Sequence, residues 1–139
     1  MSTIENANKF FDACETGKGW DGCKDYVAEN ASFECQAAPL ADVGTVEAYC
    51  EWMAGFANVT APGCRYDLHT SGFDADNNTA FFFATFIGTH SGDGGPVPPT
   101  NKETRSHYVY TLTMNAEGKV EKMVKIWNAS FALRQLGWM

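Results

Sequence analysis

Thr79-Ala80-Phe81-Phe82-Phe83-Ala84-Thr85-Phe86-Ile87-Gly88-Thr89-His90 is a run rich in aromatic and β-branched residues. Such residues suit a pleated, half-buried surface, so the run predicts a strand. Asp76-Asn77-Asn78 supplies a tight turn before it, and Ser91 to Asn101, rich in Gly and Pro, supplies a longer loop after it. Working outward, Cys64 to Phe73, Thr104 to Met114 and Lys119 to Ser130 are three more strand-like runs. Asn115-Ala116-Glu117-Gly118 is the turn between the last two. Connections this short join antiparallel neighbours. Small Ala84 and Gly88 beside bulky Phe82 and Phe86 suggest a contoured inner wall.

Before Pro62-Gly63 the period changes from two to that of a helix. Ser2-x-x-Glu5 is a capping-box pattern, and Ile4, Ala7, Phe10, Phe11 and Cys14 follow it at helical spacing. Gly17 and Gly19 end that helix. Trp20 to Glu29 reads as a second, short helix, and Ala31 to Gln36 as a strand with Phe33 and Cys35 on one face. Thr45 is the expected N-cap of a third helix, whose broad apolar face carries Val46, Tyr49, Cys50, Met53, Phe56 and Ala57. Ala132 to Met139 is expected to add a last helical turn. The order lacks the βαβ alternation of a parallel sheet. It predicts one α+β domain over residues 1–139, a curved antiparallel (mixed) sheet wrapped around its N-terminal helices. A sheet so curved, closed by helices, leaves a conical cavity suited to a small ligand.

Bulk properties narrow the function classes. An apolar content of 45% argues for a folded core. A formal charge of −7, with scattered lysines, argues against nucleic acid, because phosphate contacts need clustered Lys and Arg. No apolar run reaches membrane-span length. The N-terminus has no basic, apolar leader, so the cytoplasm is the expected compartment. Cys14, Cys23, Cys35, Cys50 and Cys64 are odd in number, widely spaced and free of C-x-x-C pairs, which fits small buried thiols.

The chemistry-bearing candidates are His69, His90 and His107, each on a separate predicted strand. Imidazoles titrate near neutral pH and suit general acid/base work. A lone strand histidine is more often a hydrogen-bonded filler, whereas three on neighbouring strands form a candidate group. Neither H-x-H nor H-x-x-x-H spacing occurs, so no metal site is expected. Arg105 shares a strand face with His107, and Asp67 shares one with His69.

Gly88-Thr89-His90-Ser91-Gly92 and Pro98-Pro99-Thr100-Asn101-Lys102 resemble the G-T-H-x-G and P-P-T-G-K segments of SnoaL-like polyketide cyclases. Gly118-Lys119-Val120, Trp127 and Leu133-Arg134-Gln135-Leu136-Gly137 are similar to that family's closing strand and tail. The match spans roughly 64–137, within the wider nuclear transport factor 2-like superfamily. It implies a cone-shaped α+β barrel, a homodimer, an apolar pocket and cofactor-free proton chemistry. The cyclases' acid/base aspartate falls at Asn128, and an amide cannot take a proton as a carboxylate does. Asn128 could instead polarise a carbonyl. Scytalone dehydratase-like proteins are a second relative. Their two pocket histidines match His69 and His90, and their helix-borne aspartate has Glu15 as a rough counterpart.

Three readings follow. The first is a cyclase, dehydratase or isomerase acting on a small apolar oxygenated molecule. It uses His69, His90 and His107, with Asn128 at the carbonyl and Phe33, Trp52, Phe56, Phe82, Phe86 and Arg105 shaping the pocket. The second is a ligand-binding module without turnover. The third is a dimerisation or partner-binding domain, with Tyr108, Tyr110, Lys125 and Trp127 on the outward face of the last strands.

Overall fold

Ser2 caps the first helix as its sequence pattern predicts: its hydroxyl accepts from the Glu5 amide at 3.1 Å. In the computed structural model, which describes residues 2–139, this helix, α1, runs Thr3–Glu15 and buries Asn6, Ala7, Phe10, Phe11, Cys14 and Glu15. The Asn6 side-chain Nδ2 donates to Tyr26 O and Gly118 O, which pins α1 to two distant turns. Gly17 turns the chain at φ +77, and a Cβ there would stand 2.7 Å from that of Ala57.

A short helix α2, Gly19–Cys23, is followed by a 3₁₀ turn, Lys24–Tyr26, and strand β1, Val27–Cys35. The expected helix over 20–29 therefore stops early. Val27 pairs in parallel with Val120 of the last strand, and sheet bonding outweighs a pattern that suits either element. The register shifts between Val27 and Ser32, where Asn30 takes φ 60. Thr45 caps α3, Val46–Gly55, by accepting from the Ala48 amide, and a π-helical turn, Phe56–Thr60, extends it.

The four later strands are β2 Arg65–Asp74, β3 Thr79–Thr89, β4 Glu103–Met114 and β5 Val120–Trp127. Their order is β1-β5-β4-β3-β2, with β1 parallel to β5 and the other pairings antiparallel. The fold is α+β with a curved mixed sheet. The strand expected to reach Ser130 ends at Trp127. Asn128 caps a final helix, α4, Ala129–Leu136, which Gly137 closes at φ 78.

Alternation along each strand divides the two faces. Phe82, Ala84 and Phe86 of β3 face inward with Tyr108, Tyr110, Leu112 and Met114 of β4. Phe11 of α1 stacks on Phe82 at 4.5 Å between centroids, and Phe33 of β1 stacks on Tyr49 of α3 at the same distance. Each such burial stabilises by roughly 1.5–3 kcal/mol. Phe81, Phe83, Val109 and Ile126 face outward. No helix among the described residues is long and apolar enough to cross a membrane.

Candidate active site

Strand β5 alternates Met123, Lys125 and Trp127 inward, and this places an amine within the aromatic core. Lys125 is 5% exposed. Its Nζ lies 5.1 Å from the Tyr49 ring centroid, 5.7 Å from Trp52, 5.4 Å from Tyr108 and 4.8 Å from Trp127. Ring faces attract a cation in this geometry. The hydrogen bond that Nζ makes runs to Tyr49 Oη at 2.9 Å.

From there the polar contacts continue as a chain. Tyr49 Oη and Tyr110 Oη are 3.0 Å apart, and Tyr110 donates to Glu15 Oε2. Glu15 is the last residue of α1 and is 2% exposed. Four side chains from α1, α3, β4 and β5 thus join a buried acid to a buried amine. Tyr108 Oη, beside them, is buried with no hydrogen-bond partner among the described residues. An unpaired buried hydroxyl costs about 1–3 kcal/mol and marks a place where a ligand atom could bind.

Burial sets the acid/base character. It raises the Glu15 carboxyl above its usual range, against the opposing pull of the Lys125 charge and of the Tyr110 and Tyr108 hydroxyls that face it. It lowers Lys125, and Glu15 partly offsets that. Both groups move toward neutrality, the pattern of a proton-transfer pair. Burial and then the nearby Glu15 charge raise Tyr108, so its hydroxyl stays protonated and able to donate. Tyr110 is likewise raised, by burial first.

Glu15, Tyr108 and Lys125 line one pocket with Trp52, Met53, Phe56, Phe86 and Trp127, closed on the α4 side by Ala132 and Leu136. Its volume open to a water centre is about 20 Å³, room for about one water. Half-buried Trp52 and Trp127, 6.4 Å apart, stand at this space, and their side-chain positions limit its size.

Of the residues singled out from sequence, Trp52, Phe56 and Phe86 line this pocket, while Phe33 and Phe82 pack in the adjoining core. The three histidines lie elsewhere. His90 is fully buried: Nε2 donates to Gly94 O at 3.0 Å, and Nδ1 accepts from Trp138 Nε1 at 2.9 Å and the Thr100 amide at 3.4 Å. That ring ties the 91–101 loop to the C-terminal tail. His69 is exposed at the β2 irregularity between Leu68 and Thr70 and bonds Thr85 Oγ1 at 2.6 Å. His107 lies 6.0 Å from it, on the outer face. Arg105, His107 and Asn128 meet there with Phe131 around a surface hollow of about 180 Å³. Asn128 Oδ1 accepts from the Phe131 amide at 3.3 Å as the α4 cap.

Tyr108, Tyr110, Lys125 and Trp127, expected on the outward face, point inward. The alternation was legible, but nothing in sequence said which alternate face the helices cover. Cys14, Cys23 and Cys50, from three helices, place their sulfurs within 4.8 Å of one another in the core. They could offer three soft ligand atoms to a thiophilic ion. Burial pushes the Cys14 thiol up.

Comparison with known proteins agrees with this architecture. A candidate SnoaL-like polyketide cyclase from Jannaschia sp. CCS1 superposes with a TM-score of 0.78 at 16% identity, over 96% of this chain and 90% of that one. IdmH, a candidate polyketide cyclase from Streptomyces antibioticus, gives 0.77 at 15% identity over 99% of both chains. A protein of ketosteroid isomerase-like fold from Catenulispora acidiphila, solved with trimethylamine, gives 0.71 at 14% identity over 99% of this chain and 96% of that one. These likenesses concern the fold. Among curated proteins no sequence matches the chain. The model of the SnoaL-like domain matches residues 7–123, most of the chain, and the protein therefore belongs to the SnoaL-like domain family.

Proposed function

We propose that the protein is a cofactor-independent acid/base enzyme acting on a small apolar carbonyl compound, in the cyclase, dehydratase or isomerase class. The observation that carries this reading is the buried Glu15–Tyr110–Tyr49–Lys125 chain, whose two ends, Glu15 and Lys125, line an aromatic pocket. A carboxylate raised by burial is a stronger base toward an α-proton than one in water. The developing enolate oxygen needs donors that are already in place, and Tyr108 Oη and Lys125 Nζ supply them. The acid/base role thus moves from the histidines to Glu15, with Lys125 at the far end of the same hydrogen-bonded chain. Trp52, Phe56 and Phe86 exclude water from the reacting atoms.

The reading includes a cytoplasmic homodimer with no nucleic-acid or membrane partner. Phe83, Val109 and Ile126 stand side by side across three strands of the outer face, an apolar row that a second copy would cover. A ligand-binding module without turnover is the second reading, favoured by Asn128 where the resembling cyclases carry aspartate. The test is exchange of α-protons into D₂O, followed by NMR over a panel of small ketones. Enzyme-dependent exchange, lost in Glu15→Gln, supports the proposal. Saturable binding with no exchange favours the binding module.

A further inference from the structure

Lys125 is the one buried lysine among the described residues; every other lysine is exposed. Its Nζ lines the pocket, makes one hydrogen bond and is otherwise surrounded by four aromatic rings. A lysine needed only to neutralise Glu15 would pair with it directly. Here two phenol hydroxyls intervene, and the structure holds no Lys125–Glu15 ion pair among the described residues. The amine is therefore presented to the pocket and not spent on the carboxylate.

We propose that Lys125 is a nucleophile that captures the carbonyl carbon of a small aldehyde or ketone as a protonated imine. This deepens the carbonyl reading above and rests on it for the pocket. The neutral amine's lone pair forms the N–C bond while the C=O π pair moves to oxygen. The nitrogen then gives up one proton and the oxygen takes it, giving a neutral carbinolamine. The C–O bond then breaks, its oxygen leaves as water with a second proton, and the nitrogen lone pair closes the C=N bond. From the ammonium form the balance is amine cation plus carbonyl giving iminium plus one water, with the charge conserved and nothing oxidised or reduced. The proton carriers are in place. Tyr49 Oη contacts Nζ, and Tyr110 links it to Glu15, which holds the amine's proton and returns it to the leaving oxygen.

The rings have a second consequence. They stabilise a cation whether it is ammonium or iminium, so the product keeps the attraction that the free side chain had. A desolvated lysine in an apolar pocket is also the form in which amines act as nucleophiles at neutral pH. The iminium in turn acidifies the substrate's α-hydrogens, within the same pocket as the Glu15 carboxylate.

The experiment is reductive trapping on the full chain. Propanal and acetone are each incubated with the protein and cyanoborohydride near neutral pH, and adducts are located by peptide mass mapping. Lys125 is expected to be alkylated ahead of every exposed lysine, because a desolvated amine beside a bound carbonyl is the stronger nucleophile. Tyr49→Phe should slow that labelling, and Lys125→Met should abolish it while surface labelling continues. Labelling confined to the exposed lysines overturns the proposal. Deuterium exchange on the same probes separates the two readings. Exchange without trapping overturns the imine and leaves the acid/base enzyme standing. Trapping without exchange supports the imine and overturns the role given to Glu15.

Discussion

Lys125 Nζ donates to Tyr49 Oη across 2.9 Å, and the bond ties the last strand to α3 inside the aromatic core. Tyr49 also lies 3.0 Å from Tyr110 Oη, so one phenol joins both halves of the polar chain. Tyr49→Phe removes that joint and leaves Lys125 without its hydrogen bond. The expected loss is about 1–3 kcal/mol of stability, measured by urea unfolding, because a buried donor is left unpaired. Tyr110→Phe should act in the same direction, since it strips the hydrogen bond from Glu15.

Glu15 gives a pH signature. Burial raises its folded pKa above the ordinary 4.5, so the folded state favours the protonated form. Its contribution to stability is complete below 4.5 and is lost as pH rises through the raised folded value. Glu15→Gln cannot ionise. Its stability relative to the parent should therefore improve steadily as pH rises from 4.5, by about 1.4 kcal/mol for each pH unit up to the raised folded pKa. In activity the same variant should lose at least ~100-fold of α-proton exchange. Thermal melts across pH, set beside the exchange rates, check both.

Lys125 shows the opposite slope. Burial lowers its folded pKa below 10.5, so the folded state favours the neutral amine. Its contribution is complete above 10.5 and is lost as pH falls through the lowered folded value. Lys125→Met keeps the apolar stem and drops the titration. Its advantage over the parent should grow as pH falls from 10.5, until the folded amine is fully charged. A difference between the two melting curves that is flat with pH would contradict the assignment.

The histidines should separate by environment. His90 is fully buried and uses both ring nitrogens, so His90→Ala should cost about 2–4 kcal/mol and expose the 91–101 loop to proteolysis. His69→Ala and His107→Ala, on the outer face, should change stability by no more than about 0.5 kcal/mol and leave exchange intact.

Asn128 tests whether the resembling cyclases' chemistry is one substitution away. Its carboxamide oxygen caps α4, so Asn128→Ala should cost about 1 kcal/mol. Asn128→Asp is an equally good cap, and its charge suits the helix N-terminus, so stability should hold or rise slightly. Because the side chain is exposed and away from the pocket lining, the aspartate variant should show no gain in α-proton exchange.

How much of this was legible in the chain differs from residue to residue. The run from Thr79 to His90 could be read as a strand because aromatic and β-branched residues bounded by turn formers have few other uses. Ser2 and Thr45 could be read as caps because capping is local chemistry. The sequence pattern alone carries α2 past Cys23 and β5 past Trp127, because both boundaries depend on a partner distant in sequence. Val27 joins the sheet through Val120, and Asn128 turns its side chain to the Phe131 amide.

The order of elements and the antiparallel meander are written in the chain, since periodicity and turn chemistry are local properties, and the motifs from Gly88 to Lys102 carry the family resemblance. Which face of each strand lies inside is set by the packing of the helices. Period-two alternation groups His107 with Arg105 and Tyr108 with Tyr110, but it is symmetric between the two faces. The helices break that symmetry by covering the tyrosines, and this moves the candidate site from three histidines to Glu15 and Lys125. Those two residues are 110 positions apart in the chain and are joined through two phenols. Their shifted protonation comes from shared burial, which no window of sequence contains.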